Sequence, residues 1–185
     1  MRKRVSLAIC GILAAVLTAA FAGAQSVTAS VSGPAYLAVT SMTAMSQNAE
    51  TAKLSATTRA AIPRQPNAFI NSNPVVGLAW ADLNTGKVFV TTIHPVIGRD
   101  SNQNPAGWHA HTATLIGGAT SPHDFCVKSI DSTPTAGISI HGNTMDVNVR
   151  KSALPVAPAA FDAAVGFTLQ PDAACASRLA VQIST

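Results

Sequence analysis

Residues 138–150 read Ile-Ser-Ile-His-Gly-Asn-Thr-Met-Asp-Val-Asn-Val-Arg, and this stretch is the strongest indication of the fold. Apolar and polar residues alternate on both sides of Gly142 and Asn143, which is typical of strands with one buried and one solvated face. A glycine–asparagine pair between two such strands is typical of a tight turn. The stretch therefore predicts an antiparallel β-hairpin.

Other parts of the second half of the chain repeat this pattern. A second hairpin is predicted for Val76–Leu83 and Lys87–Ile93, because turn-forming residues separate two apolar runs. Further strands are predicted at residues 108–116, 125–130, 165–169 and 179–183. About seven or eight short strands separated by turns predict an all-β fold, an antiparallel β-sandwich of immunoglobulin-like or jelly-roll-like topology.

The first 24 residues have the layout of a secretory signal peptide. Residues 2–4 (Arg-Lys-Arg) form a basic head, an apolar run follows, and residues 22–24 (Ala-Gly-Ala) are the small residues that a signal peptidase recognises. Cleavage after residue 24 predicts a secreted protein of the periplasm, cell surface or extracellular space, with no membrane span once the leader is removed. The alternative is an uncleaved anchor, because the apolar run approaches the length that spans a bilayer.

Residues 25–73 differ in composition from the rest of the chain. They are rich in alanine, serine and threonine and poor in aromatic residues, which predicts a weakly ordered linker. The ordered alternative is a helix around Ser46 to Ala61, although its alanine-rich face would bury little area. Residues 74–185 have the size of one independent domain. The predicted organisation is a signal peptide at 1–24, a linker at 25–73 and a β-sandwich domain at 74–185.

The cysteines predict one disulfide bond. Cys10 lies within the predicted leader, so Cys126 and Cys175 are the pair that remains in the exported chain. Exported proteins fold in oxidising compartments, where two cysteines usually pair. The alternative is a thiolate that acts as a metal ligand or a nucleophile.

The charge composition argues against a nucleic-acid-binding protein. The chain has 12 lysines and arginines against eight acidic residues, and three of the basic residues lie in the leader. The chain without its leader then has nine basic and eight acidic residues, which is a net charge of about +1. A nucleic-acid-binding surface needs a clustered excess of positive charge, so no nucleic-acid partner is expected.

His109 and His111 have the spacing of metal ligands. Residues i and i+2 of a strand point to the same face, so the two imidazoles can reach one ion. His123 and Asp124 follow after a glycine pair and are the predicted third and fourth ligands. Imidazole ligands suit copper or zinc. The favoured interpretation is nevertheless that these histidines lie on the solvated face of a strand and that the protein has no cofactor, and a copper or zinc site is the alternative.

The loop that leads into Trp108 is the second candidate site. It is long and polar, and loops mounted on a rigid β scaffold commonly carry binding functions. As part of this site Trp108 would be an exposed aromatic anchor for a carbohydrate or protein ligand, although a place in the core is the favoured interpretation of this residue. The other residues assigned to this loop site are Arg99, Asp100, Asn102, Gln103 and Asn104.

The sequence indicates no assembled catalytic set. Residues 137–141 (Gly-Ile-Ser-Ile-His) approach the nucleophile-elbow pattern, but they lie between two predicted strands rather than between a strand and a helix. Enzymatic activity is therefore left open and its absence is favoured. We expect an exported, non-enzymatic binding or structural module of the cell envelope or extracellular space. The alternative is a secreted copper- or zinc-binding protein, with redox activity as one form of it, that uses His109 and His111.

Overall fold

The computed structural model describes residues 33–64, 75–94 and 107–184, and the predicted signal peptide lies outside them. Two single-turn 3-10 helices, Lys151–Ala153 and Pro158–Ala160, accompany the strands. Within the described ranges we find no helix with the length and apolar character needed to cross a membrane. The strands are β1 Val39–Ser46, β2 Thr51–Thr58, β3 Val75–Asp82, β4 Lys87–Ile93, β5 His109–Ile116, β6 Phe125–Ser132, β7 Ala136–His141, β8 Thr144–Arg150, β9 Ala163–Pro171 and β10 Leu179–Ser184.

Six of these strands form a closed antiparallel barrel in the order β10-β6-β5-β4-β3-β9, and the other four form a sheet in the order β1-β2-β8-β7. The predicted all-β antiparallel class is confirmed, and the two predicted hairpins are β3–β4 and β7–β8. The predicted sandwich is corrected. β9 pairs with β3 and β10 pairs with β6, so that one sheet closes on itself instead of remaining open.

β3 and β4 are buried on both faces, which explains the nearly continuous apolar run of β3 and the apolar residues at successive positions of β4. Successive residues of a strand point to opposite faces. Leu78 and Trp80 belong to the core shared with the four-stranded sheet, whereas Ala79 and Ala81 face the barrel interior. The four-stranded sheet thus covers one side of the barrel, and a wall of the barrel separates two apolar compartments.

The compartment between the sheet and the barrel holds the largest buried side chains. Trp80 and Phe89 are fully buried, and their ring centroids lie 6.2 Å apart. The Trp80 indole N–H donates a hydrogen bond to the carbonyl oxygen of Ser55 at 3.4 Å, which ties the barrel to β2. Full burial of a large apolar side chain contributes about 1.5–3 kcal/mol, so this compartment contributes strongly to stability.

β1 and β2 correct the description of residues 25–73 as a weakly ordered linker with a helix as the alternative. Residues 39–58 form two paired strands, and β2 also pairs with β8 from Thr51 opposite Arg150 to Thr57 opposite Thr144. Leu54 is fully buried, as are the small side chains of Ala52 and Ala56. Alanine buries little area and is a good helix former, so the alternation in this strand lacks the contrast that normally identifies one.

The barrel closes between β6 and β10 over two residue pairs, Ala180 opposite Cys126 and Val181 opposite Phe125. The predicted disulfide is confirmed: Cys126 of β6 is bonded to Cys175, which lies in the loop between β9 and β10. The Asp124 backbone N–H also donates to the carbonyl oxygen of Val181 at 2.8 Å. The disulfide therefore cross-links the shortest strand contact of the barrel.

Replacement of both Cys126 and Cys175 by alanine is expected to lower the free energy of unfolding by about 2–4 kcal/mol, because the cross-link restricts the unfolded chain. Urea denaturation followed by tryptophan fluorescence measures this change. Wild-type protein denatured with a reducing agent should match the double variant, and the agent should leave the variant itself unchanged. A variant as stable as the oxidised wild type would show that strand pairing alone closes the barrel.

Candidate metal centre

Three histidines meet at one end of the barrel. His109 and His111 lie on β5, opposite Thr92 and Val90 of β4, and His94 directly follows β4. Because antiparallel partners share a face, these side chains all project from the same side of the β4–β5 pair. The alternation Val88, Val90, Thr92 of β4 continues to His94, which places a third imidazole beside the other two.

The three rings are buried and close to one another. One ligand atom from each of His94, His109 and His111 lies within 4.8 Å of the others. The Nε2 atoms of His94 and His109 are 3.0 Å apart, and Thr92 Oγ1 lies 3.3 Å from His109 Nε2. The ring of His109 stands nearly perpendicular to both neighbours, with centroids at 4.7 Å from His94 and 4.9 Å from His111.

Hydrogen bonds on the far side of two rings orient them toward the cluster. His109 Nδ1 lies 3.0 Å from the carbonyl oxygen of Gly107, which can only accept, so Nδ1 carries the proton and Nε2 carries the lone pair. His111 Nδ1 lies 3.2 Å from Thr133 Oγ1. An outer hydrogen bond that fixes the tautomer of a histidine is the usual support of a metal ligand.

The predicted third and fourth ligands, His123 and Asp124, are wrong because both lie at the opposite end of the barrel. β5 runs from His109 to Ile116, and β6 begins beside Ile116. The length of β5 therefore separates His123 and Asp124 from His109 by about 20 Å. Asp124 Oδ2 instead accepts a hydrogen bond from the Ile183 backbone N–H at 2.7 Å. His94 is the member of the cluster that the sequence does not indicate, because the register of β4 against β5 cannot be read across the residues that separate them.

The second sequence-based site is corrected in part. Trp108 is 6% exposed and belongs to the core, where its indole N–H donates to the carbonyl oxygen of Pro63 at 2.8 Å. The favoured core interpretation is therefore confirmed, and Trp108 is not the exposed anchor of a binding loop. The loop residues assigned with it lie outside the described residues, and their role stays a prediction: Arg99, Asp100, Asn102, Gln103 and Asn104.

The barrel interior next to the histidines contains a cavity of about 900 Å³. His94, His111 and Thr92 line one part of it, and most of the remaining lining is apolar. The inward-facing residues are mainly small, which leaves the interior of this barrel unfilled. The imidazole cluster thus lies in the wall of an apolar cavity.

His123 has a structural role instead. Its Nδ1 donates to Asp172 Oδ2 at 3.0 Å, and the same oxygen accepts hydrogen bonds from the backbone N–H and the hydroxyl of Thr120, both at 2.7 Å. Asp172 Oδ1 accepts from the Ala174 backbone N–H at 2.9 Å. The hydrogen bond from His123, followed by those from Thr120 and Ala174, holds the pKa of the Asp172 carboxyl well below its usual range.

These arrangements give the barrel a three-imidazole cluster, an apolar cavity beside it and a carboxylate-centred loop contact at its far end. Three convergent imidazoles can hold a borderline transition-metal ion. Comparison of the chain with protein-family models, with curated proteins and with solved structures gives no match.

The Asp172 carboxylate is expected to make stability depend on acid pH. A carboxyl group with a lowered pKa in the folded state contributes stability above the pKa of the unfolded chain, about 3.9, and this stability is lost as the pH falls toward the folded-state value. Asp172→Asn should therefore be less stable than wild type at pH 7 and should lose less stability between pH 5 and pH 2. Thermal unfolding across this range measures both effects, with exposed Asp131→Asn as the control. Parallel pH profiles for wild type and Asp172→Asn would contradict the assignment.

Proposed function

We propose that this protein binds a transition-metal ion, zinc or copper, through His94, His109 and His111. The observation that carries the proposal is the convergence of three buried imidazoles from adjacent strands within 4.8 Å. Tetrahedral zinc holds its nitrogen ligands about 3.3 Å from one another, and the 3.0 Å between the Nε2 atoms of His94 and His109 is close to that spacing. Binding of the ion would replace the hydrogen bond between these two atoms and would draw the third imidazole in from within 4.8 Å.

The chemistry of the ligand set favours zinc or copper over harder cations. Calcium and magnesium prefer several oxygen ligands, whereas the cluster consists of imidazoles with one nearby hydroxyl, that of Thr92. Three protein ligands leave a coordination position open, which is the arrangement of metal sites that exchange an additional ligand. The cluster borders the cavity through His94 and His111, so this position lies on the cavity side.

The proposal makes the protein a binding module that acts outside the cytoplasm. The basic and apolar leader, the small residues that follow it and the disulfide support export to the periplasm, the cell surface or the extracellular space. Binding of an ion needs no catalytic set, which agrees with the expectation of a non-enzymatic module. A protein or carbohydrate partner at the loop before Trp108 remains a separate expectation.

The purified chain, stripped with a chelator and titrated with Zn²⁺ or Cu²⁺, is expected to bind about one equivalent. His94→Ala removes one of three ligands, so we expect its affinity for the ion to fall at least about 100-fold. Isothermal titration calorimetry gives the stoichiometry and the affinity, and X-ray absorption at the metal edge counts the imidazole ligands.

His141→Ala is the matched control, because His141 is an exposed imidazole outside the cluster. Circular dichroism of each variant verifies that the β-fold is retained. Equal loss of binding in His94→Ala and His141→Ala, or no stoichiometric binding by wild type, would refute the proposal.

A further inference from the structure

We propose that the barrel interior is a binding site for an apolar small molecule that carries one oxygen-bearing end group, such as a long-chain carboxylic acid. The cavity inside the barrel measures about 900 Å³. Pockets for small organic ligands commonly measure about 300–1,000 Å³, are mostly apolar and contain a few polar groups that orient the ligand. The proposal rests on the size and lining of the cavity and does not require a bound metal ion.

Four alanines lie among the residues that line the cavity. Ala79 and Ala81 of β3, Ala113 of β5 and Ala163 of β9 all line it. Larger residues at these positions would fill a six-stranded barrel. Each replacement of a buried leucine by alanine lowers the free energy of unfolding by about 2–5 kcal/mol. A hollow interior is thus unfavourable for the isolated fold, and an apolar occupant restores the missing contacts.

The cavity reaches the surface beside the short contact between β6 and β10. β6 pairs with β10 only as far as Cys126, so in the described chain the rest of β6 extends beyond this pairing. Ile130 of β6 lies opposite Ala113, lines the cavity and is 58% exposed. Leu179 and Pro171 line the cavity on the other side of this gap. An exposed apolar side chain at the rim of an apolar cavity is typical of the opening through which a hydrophobic ligand enters.

The polar end of the cavity determines the orientation of the ligand. His94, His111 and Thr92 are the polar residues at that end, whereas the opposite end carries Asp82, Asn84 and Thr85 of the β3–β4 turn. The Asp82 carboxylate there repels an anionic end group, so a carboxylate is favoured only at the imidazole end. An apolar molecule therefore places its chain along the alanine and valine wall. Its carboxylate or hydroxyl group meets the imidazoles, which offer either N–H donors or a metal ion.

The test uses cis-parinaric acid, a long-chain carboxylic acid whose fluorescence rises in an apolar environment, and its methyl ester. Wild-type full chain is expected to bind both probes with saturation at one equivalent, and the acid about tenfold more tightly than the ester. His94→Ala should reduce that difference while it retains binding of the ester.

Ala113→Phe and, separately, Ala79→Phe place a ring inside the cavity and should each lower the affinity for both probes at least about tenfold. Thr114→Phe is the matched control, because Thr114 neighbours Ala113 but lies opposite Lys87 on the outer face. Circular dichroism and the metal titration establish that each variant is folded, since filling the cavity should leave metal binding intact.

Two results would overturn the inference: wild-type protein that gives no saturable fluorescence change, or folded Ala113→Phe and Ala79→Phe variants that bind as tightly as Thr114→Phe. Wild-type protein that binds the probes but no metal ion would refute the metal proposal alone. Wild-type protein that binds the metal ion but neither probe would refute the cavity proposal alone.

Discussion

β6 and β10 meet over only two residue pairs, whereas β3 pairs with β4 from Val76 to Asp82 along its length. The barrel depends on this short contact, because without it six strands would form an open sheet and the inward-facing side chains would be solvated. Interactions other than strand pairing reinforce this contact between β6 and β10. The disulfide joins Cys126 to Cys175, and Asp124 binds the backbone of β10 through its N–H and its carboxylate. Burial of the histidines and enclosure of the cavity both follow from closure at this place.

The wall formed by β3 and β4 explains how the protein tolerates a hollow interior. Its outer face carries Trp80 and Phe89 and packs against Leu54 and Met145 of the four-stranded sheet without exposed apolar area. Its inner face carries alanine and valine. Stability is thus concentrated on one side of the wall, and the other side is free to keep an unfilled volume. A fold with a single core would have to fill that volume to remain stable, since cavities in a core are destabilising. Here the second compartment supplies the burial that the barrel interior lacks.

Sequence reasoning recovered the parts of this fold that are local. Hairpins such as β7–β8 are readable because the turn and both alternating strands lie within about a dozen residues. Closure of the barrel is not readable, because it depends on the pairing of β9 with β3 and β10 with β6 across long sequence separations. β2 is not readable as a strand because two of its four buried positions are alanine. The same limit applies to the candidate site: the His109–His111 spacing lies within one strand, whereas His94 joins it only through the register between two strands. His123 is near His111 in sequence, but the length of β5 places it at the other end of the barrel.

The two proposed activities place different demands on the same rings, and this difference links them. A metal ion needs the Nε2 lone pairs, which the contact between His109 Nδ1 and the Gly107 carbonyl already directs into the cluster. An end group bound without metal needs imidazole N–H donors at the same place. In the metal-free cluster the proton between the Nε2 atoms of His94 and His109 forms the hydrogen bond that joins the two rings. A metal ion displaces that proton and presents a positive charge to the cavity, where the apolar surroundings strengthen its attraction for an anion. Both forms of the barrel therefore favour a carboxylate end group, through imidazole N–H donors without the ion and more strongly through its positive charge when it is bound.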